Sequence, residues 1–134
     1  MMIKIGRRTT FNAAHRLHNP AWSEEKNQTV FGKCNSPNYH GHNYTLETWV
    51  RGDIDPDTGF VINLTDLKKI IKEEIEDEFD HRNLNLDVPD FKNLNPTAEN
   101  IAKVIYQKLK PRLQHYELTV KLYETENNIV EYTE

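Results

Sequence analysis

The spacing of apolar residues changes period twice along this chain, and that change limits the folds open to it. Ile3, Ile5, Phe11, Ala13 and His15 share one parity, while Leu46, Thr48 and Val50 alternate with Glu47, Trp49 and Arg51. Residues 3–15 and 44–51 therefore read as strands. Between 63 and 79 the period becomes helical, with Leu64, Leu67, Ile71, Ile75 and Phe79 at three- and four-residue steps and Asn63 or Thr65 as N-cap. Asn95-Pro96 opens a second helix, Asn95 capping it and Pro96 standing in the first turn, where its missing N–H costs nothing. Ala98, Ile101, Ala102, Ile105 and Leu109 form its apolar stripe, and Pro111 limits its end. Alternation returns at Leu118, Val120 and Leu122 and, after an Asn127-Asn128 turn, over 129–132. The order strand, strand, helix, helix, strand, strand predicts an α+β domain over residues 1–134, its two helices on one face of an antiparallel sheet. Residues 18–33 have no period and are expected to be a long loop, and 80–95 an irregular connection. Two hairpins leave open sheet edges, so oligomerisation through them is expected.

Whole classes of function drop out on composition. No run approaches the ~20 apolar residues of a membrane-spanning helix. The first ten residues carry Lys4, Arg7 and Arg8 and no apolar core, so no secretory signal is expected. A single cysteine precludes an intrachain disulfide and fits a reducing, cytoplasmic setting. The net charge of −4 disfavours nucleic acid as the main partner. A small anionic substrate needs only a local group of cations.

Against that background the stretch from Cys34 to Tyr44 stands out. His40 and His42 lie two apart at the start of a strand, so both aim at one point, and Gly41 between them has no side chain. If the first two strands pair as a hairpin, His15 at the end of the first joins them. Three neutral imidazoles with an open fourth position suit a catalytic zinc, whereas calcium would want carboxylates. His18 and His115 have no such company and read as ordinary polar residues. Cys34 could be a fourth ligand, a buried small hydrophobe, or a nucleophile or base. Its polar neighbours Lys33, Asn35, Ser36 and Asn38 make poor company for a core position, and Lys33 with a nearby metal would favour the thiolate. Asp80-His81 sets an acid beside an imidazole, the composition of a proton shuttle or of a simple helix-end charge pair. Glu124 ends the apolar face of its strand, where a carboxylate is unusual unless paired or bound to a ligand. Thr97 and Glu99 suit the first turn of a helix for local reasons alone.

Several ordered motifs together resemble the 6-pyruvoyl-tetrahydropterin synthase family, which includes the 6-carboxy-tetrahydropterin synthases. These are Phe11-Asn12-Ala13-Ala14-His15-Arg16-Leu17, Phe31-Gly32-Lys33-Cys34-Asn35 and His40-Gly41-His42-Asn43-Tyr44, followed by Phe79-Asp80-His81-Arg82-Asn83-Leu84-Asn85, Pro96-Thr97-Ala98-Glu99-Asn100 and Leu122-Tyr123-Glu124-Thr125. The resemblance spans nearly the whole chain. It implies a tunnelling fold, a ββααββ subunit whose sheets join as trimeric barrels stacked into a homohexamer, with sites between subunits. It implies Zn2+ on His15, His40 and His42, proton transfer by Cys34, Asp80 and His81, and a pterin held by Glu124 and Thr97. The implied reaction converts 7,8-dihydroneopterin triphosphate to 6-pyruvoyl-tetrahydropterin with loss of triphosphate, on the route to tetrahydrobiopterin. Arg16, Lys26 and Lys33 are candidate triphosphate contacts, with Mg2+ as a further cation there.

The alternative within the family is 6-carboxy-tetrahydropterin synthesis for queuosine, whose enzymes often have a shorter Cys-to-His interval. Here five residues separate Cys34 from His40, as in the pyruvoyl branch, although Ala98 stands where that branch often has a second hydroxyl. A non-catalytic zinc-binding oligomer would need none of Cys34, Asp80, His81 or Glu124. A zinc hydrolase would want an H-E-x-x-H helix, which the sequence lacks.

Overall fold

Strand β1 (Ile3–His15) pairs antiparallel along its whole length with β2 (His40–Gly52), which begins at His40 rather than Tyr44. The computed structural model describes residues 2–134. β3 (Arg82–Asn83), β4 (Glu117–Tyr123) and β5 (Ile129–Thr133) complete a five-stranded sheet in the order β3-β1-β2-β4-β5. Its four long strands are antiparallel as expected. The short β3 departs from the expectation: it lies parallel to Ala13 and Ala14 of β1, inside the segment expected to be irregular.

Loop 18–33 is also not wholly a loop, because it contains α1 (Glu24–Phe31), with Ser23 accepting a hydrogen bond from the Lys26 N–H as its cap. The next helix runs as α2 (Leu64–Ile71), a wider π turn (Lys72–Glu76) and α3 (Asp77–Phe79), capped by Asn63 as the sequence indicates. α4 (Leu84–Asp87) is a single turn in the connection that follows. α5 (Ala98–Leu109) starts later than expected, since its N-cap is Thr97, whose Oγ1 accepts from the Asn100 N–H at 3.2 Å. Asn95 is displaced from that role by tertiary contacts described below.

One face of the sheet carries the core. Phe11 and Ala13 of β1, Tyr44, Leu46 and Val50 of β2, and Leu118, Val120 and Leu122 of β4 are all buried against α2–α3 and α5. The opposite face is polar, and its cross-strand neighbours satisfy one another. Arg8 lies opposite Glu47 and donates to its Oε2 through Nε at 3.1 Å and Nη2 at 2.6 Å, while Trp49 Nε1 donates to Oε1 at 3.0 Å. Glu47 is thereby only 7% exposed on a face no helix covers. The Trp49 ring lies directly over Gly6, where an added Cβ would sit 2.5 Å from Trp49 Cδ2. Gly6→Ala is therefore expected to displace the indole and its bond to Glu47, a loss of about 1–3 kcal/mol. Urea unfolding should show a lower midpoint with an unchanged slope.

Candidate metal centre and adjoining cleft

Antiparallel pairing builds the histidine group directly. The register sets His15 opposite His40, Ala13 opposite His42 and Phe11 opposite Tyr44, so all three imidazoles lie on the core face at the open end of the β1–β2 pair. The sheet core ends in histidines there instead of aliphatic side chains. One nitrogen from each ring lies within 4.8 Å of the others. The rings meet at steep angles, 61°, 82° and 89°, so they converge by their edges and do not stack.

The nitrogens of this group explain what it is built for. His15 Nε2, His40 Nδ1 and His42 Nε2 are buried and have no hydrogen-bond partner in the protein. Buried polar atoms are nearly always paired, so three orphans beside one another point to a ligand they share. His15 Nδ1 lies 2.7 Å from the Pro96 carbonyl oxygen. A carbonyl only accepts, so Nδ1 carries the proton and Nε2 presents its lone pair to the centre. Burial, reinforced by the neighbouring His40 and His42, lowers the His15 pKa to about 4. Burial and then His42 also lower that of His40. Neutral imidazole is the form that binds a metal, and the donor set fits zinc.

Tyr44, the next residue on this face, stacks on Phe11 and presents its ring to His15 and His42. Burial, with Glu124 and Cys34 adding to it, pushes its phenol well up, so it stays protonated. Sequence reasoning did not assign a role to Tyr44 or to the Pro96 carbonyl. Tyr44 could have been found from its parity with His40 and His42, whereas a backbone carbonyl leaves no sequence signal.

Glu124 follows β4 and brings Oε2 to 3.9 Å from His15 Nε2. It shares a cleft of about 480 Å³ with Thr97, Leu17, Glu99 and Ile129. Both residues expected to hold the pterin thus face one cavity, and it is large enough for a bicyclic ligand. Cys34 lies half-buried in the turn Gly32–Asn35, where its carbonyl accepts from the Leu17 N–H at 2.8 Å. Its thiol is outside the convergent ligand set.

Asp80 and His81 occupy the outer edge of β1. Asp80 Oδ1 accepts from the Asn12 N–H at 2.8 Å, and the His81 N–H donates to the Asn12 carbonyl at 2.6 Å. The Asn12 contact is the main reason the Asp80 pKa is lowered, and the bond from His81 adds to it. His81 Nδ1 lies 3.0 Å from Asp80 Oδ2, and the His81 backbone is left-handed with φ 60°. Left-handed backbone is strained for a residue with a Cβ and is held here by the Asn12 contacts. The His81 ring is exposed, and among the described residues no hydrogen bond or ion pair joins the Asp80–His81 pair to the histidine centre. Among the candidate phosphate contacts, Lys26 lies 4.2 Å over the Trp22 ring and the Arg16 Nε donates to the Asn35 carbonyl.

Residues 4–134 match the family model described as 6-pyruvoyl tetrahydropterin synthase. The human 6-pyruvoyl tetrahydrobiopterin synthase is 49% identical over 130 residues, covering 96% of this chain and 90% of that protein. The 6-carboxy-5,6,7,8-tetrahydropterin synthase of Rickettsia typhi is 34% identical over 150 residues, covering 97% of this chain and 99% of that one. The solved structure of Caenorhabditis elegans 6-pyruvoyl tetrahydropterin synthase superposes with a TM-score of 0.94 at 39% identity, covering 100% of this chain and 96% of the other. No helix among the described residues is long and apolar enough to cross a membrane.

Proposed function

Because the chain belongs to the 6-pyruvoyl tetrahydropterin synthase family, we propose that it converts 7,8-dihydroneopterin triphosphate to 6-pyruvoyl-tetrahydropterin, with zinc on His15, His40 and His42. The observation that carries this reading is the group of three convergent imidazoles with orphaned inward nitrogens, set beside a cleft lined by Glu124 and Thr97. The pyruvoyl product is favoured over the carboxy one by the 49% identity to the human synthase, against 34% to the R. typhi enzyme.

In this scheme the Glu124 carboxylate accepts from the amino and ring N–H groups of the pterin. The Thr97 Oγ1 already accepts from Asn100, so its O–H is free to donate to the same ring. The chemistry supplied by bound zinc is Lewis-acid polarisation of side-chain hydroxyls, which acidifies the adjoining C–H bonds. Cys34 as thiolate takes such a proton and returns it to the ring. Asp80 orients His81, and the pair carries the second proton transfer. Triphosphate leaves by elimination, with Arg16, Lys26 and Lys33, and Mg2+, as its counter-charges. The side chain is oxidised as the pyrazine ring is reduced, so no external reductant enters.

Asp80–His81 and the histidine centre come together in this proposal across a subunit boundary. β3 pairs only with Ala13 and Ala14, which leaves most of the outer edge of β1 open, and the outer edge of β5 is open as well. Joining those edges in trimeric barrels, and two barrels in a homohexamer, removes them. A cytoplasmic location belongs to the same reading and suits a free thiol.

The decisive experiment is incubation of the zinc-loaded protein with 7,8-dihydroneopterin triphosphate and mass analysis of the product. A pyruvoyl-tetrahydropterin is expected. A carboxy-tetrahydropterin with acetaldehyde would move the chain to the other branch, and unchanged substrate would sink the enzyme reading in favour of a non-catalytic zinc-binding oligomer.

A further inference from the structure

Asn95 has the composition of a helix cap but does not cap α5, and what it does instead bears on the metal centre. Its carbonyl accepts from the Thr97 N–H at 2.8 Å, closing a three-residue turn centred on Pro96, and also from Asn100 Nδ2 at 2.8 Å. Its side-chain Oδ1 accepts from the His18 N–H at 3.1 Å, tying the turn to the chain that continues from β1. The turn is thus fixed on both sides, and the Pro96 carbonyl it projects is the group that meets His15 Nδ1 at 2.7 Å. His15 is 1% exposed, so solvent does not compete for Nδ1 in the native packing, and its other partner there is the Tyr44 hydroxyl at 3.4 Å.

We infer that Asn95 and Asn100 form a clamp that aims the Pro96 carbonyl at His15, fixing the ring tautomer that offers Nε2 to the metal. They are positioning residues, acting through a backbone carbonyl on a ligand they do not touch. The inference rests on the reading that His15, His40 and His42 hold zinc. Loosening the turn lets the carbonyl swing away and leaves Nδ1 only the Tyr44 hydroxyl at 3.4 Å, which can donate as well as accept, so His15 populates both tautomers. Outer-shell partners of metal-bound histidines typically carry 10–100-fold in affinity, and a loss of roughly that size is expected.

The test compares the full-length wild type with Asn100→Ala, Asn95→Ala and Leu109→Ala, the last a core truncation at the far end of α5. Long-range ¹H–¹⁵N NMR of the metal-free proteins reads the His15 tautomer, and competition with a chromophoric chelator reads zinc affinity. Wild type is expected to show the Nδ1–H tautomer alone. Asn100→Ala and Asn95→Ala should show a mixture and bind zinc roughly 10–100-fold more weakly. Leu109→Ala should melt several degrees earlier with tautomer and affinity unchanged. The clamp is overturned if both Asn variants keep the wild-type tautomer and affinity, or if Leu109→Ala weakens zinc as much as they do. A wild type that binds no zinc overturns the metal reading instead, while the tautomer comparison still decides the clamp.

Discussion

Replacing Cys34 with Ala is expected to lower turnover by roughly 10²–10⁴, the range for losing a positioned proton-transfer group, while zinc content stays at about one per chain. The retention of zinc follows from which atoms converge. The convergent nitrogens belong to His15, His40 and His42 and exclude Cys34, so its removal leaves the ligand set whole. The loss of turnover follows from the proton-transfer role proposed for the thiol. The fold should tolerate the change, because Cys34 is only half-buried and its turn is held by its carbonyl, through Leu17. Elemental analysis, thermal unfolding and single-turnover kinetics on one preparation separate the outcomes. Loss of zinc with an intact fold would make Cys34 a ligand and end the mechanism. Undiminished turnover would move the base to Asp80–His81.

The parts of this molecule legible in its sequence are those set by local period. Alternation over 3–15 and 44–51 fixes which residues face the core, and pairing those strands as a hairpin brings His15 to His40 and His42, as the register shows. What escaped was stabilised otherwise. α1 reads Glu24-Glu25-Lys26-Asn27-Gln28-Thr29-Val30-Phe31, which has no apolar stripe, and its one buried residue is Asn27. That amide accepts from the Asn19 N–H and donates to the Asn19 and Ser23 carbonyls, so the helix is docked by hydrogen bonds that no hydrophobic pattern reveals. The start of α5 was misplaced for a related reason. Asn95 and Thr97 are both good caps by propensity, and the contact between Asn95 and the distant His18 N–H assigns them different work. Asp80–His81 was legible as a pair but not as a position, because one chain leaves it exposed at a sheet edge.

His42→Phe is expected to separate stability from function in opposite directions. In the metal-free protein His42 Nε2 is shielded from solvent without a partner, as are His15 Nε2 and His40 Nδ1. A buried polar atom left unpaired costs about 1–3 kcal/mol. Phenylalanine keeps a ring against His15, His40 and Tyr44 and deletes that nitrogen. The metal-free variant should therefore unfold at the same temperature as wild type or a few degrees higher, a gain of about 1 kcal/mol. With zinc the order reverses. A ligand at a thousandfold excess over its Kd stabilises the folded state by about 4 kcal/mol, and wild type should show that increment. The variant, with two imidazoles left, should show none of it and no turnover above background. Thermal unfolding with zinc and with chelator, beside the product assay, reads both signs. A zinc-dependent shift surviving in the variant would remove His42 from the centre. A metal-free variant melting several degrees early would mean that the three nitrogens carry no strain, and that the imidazoles are there to pack.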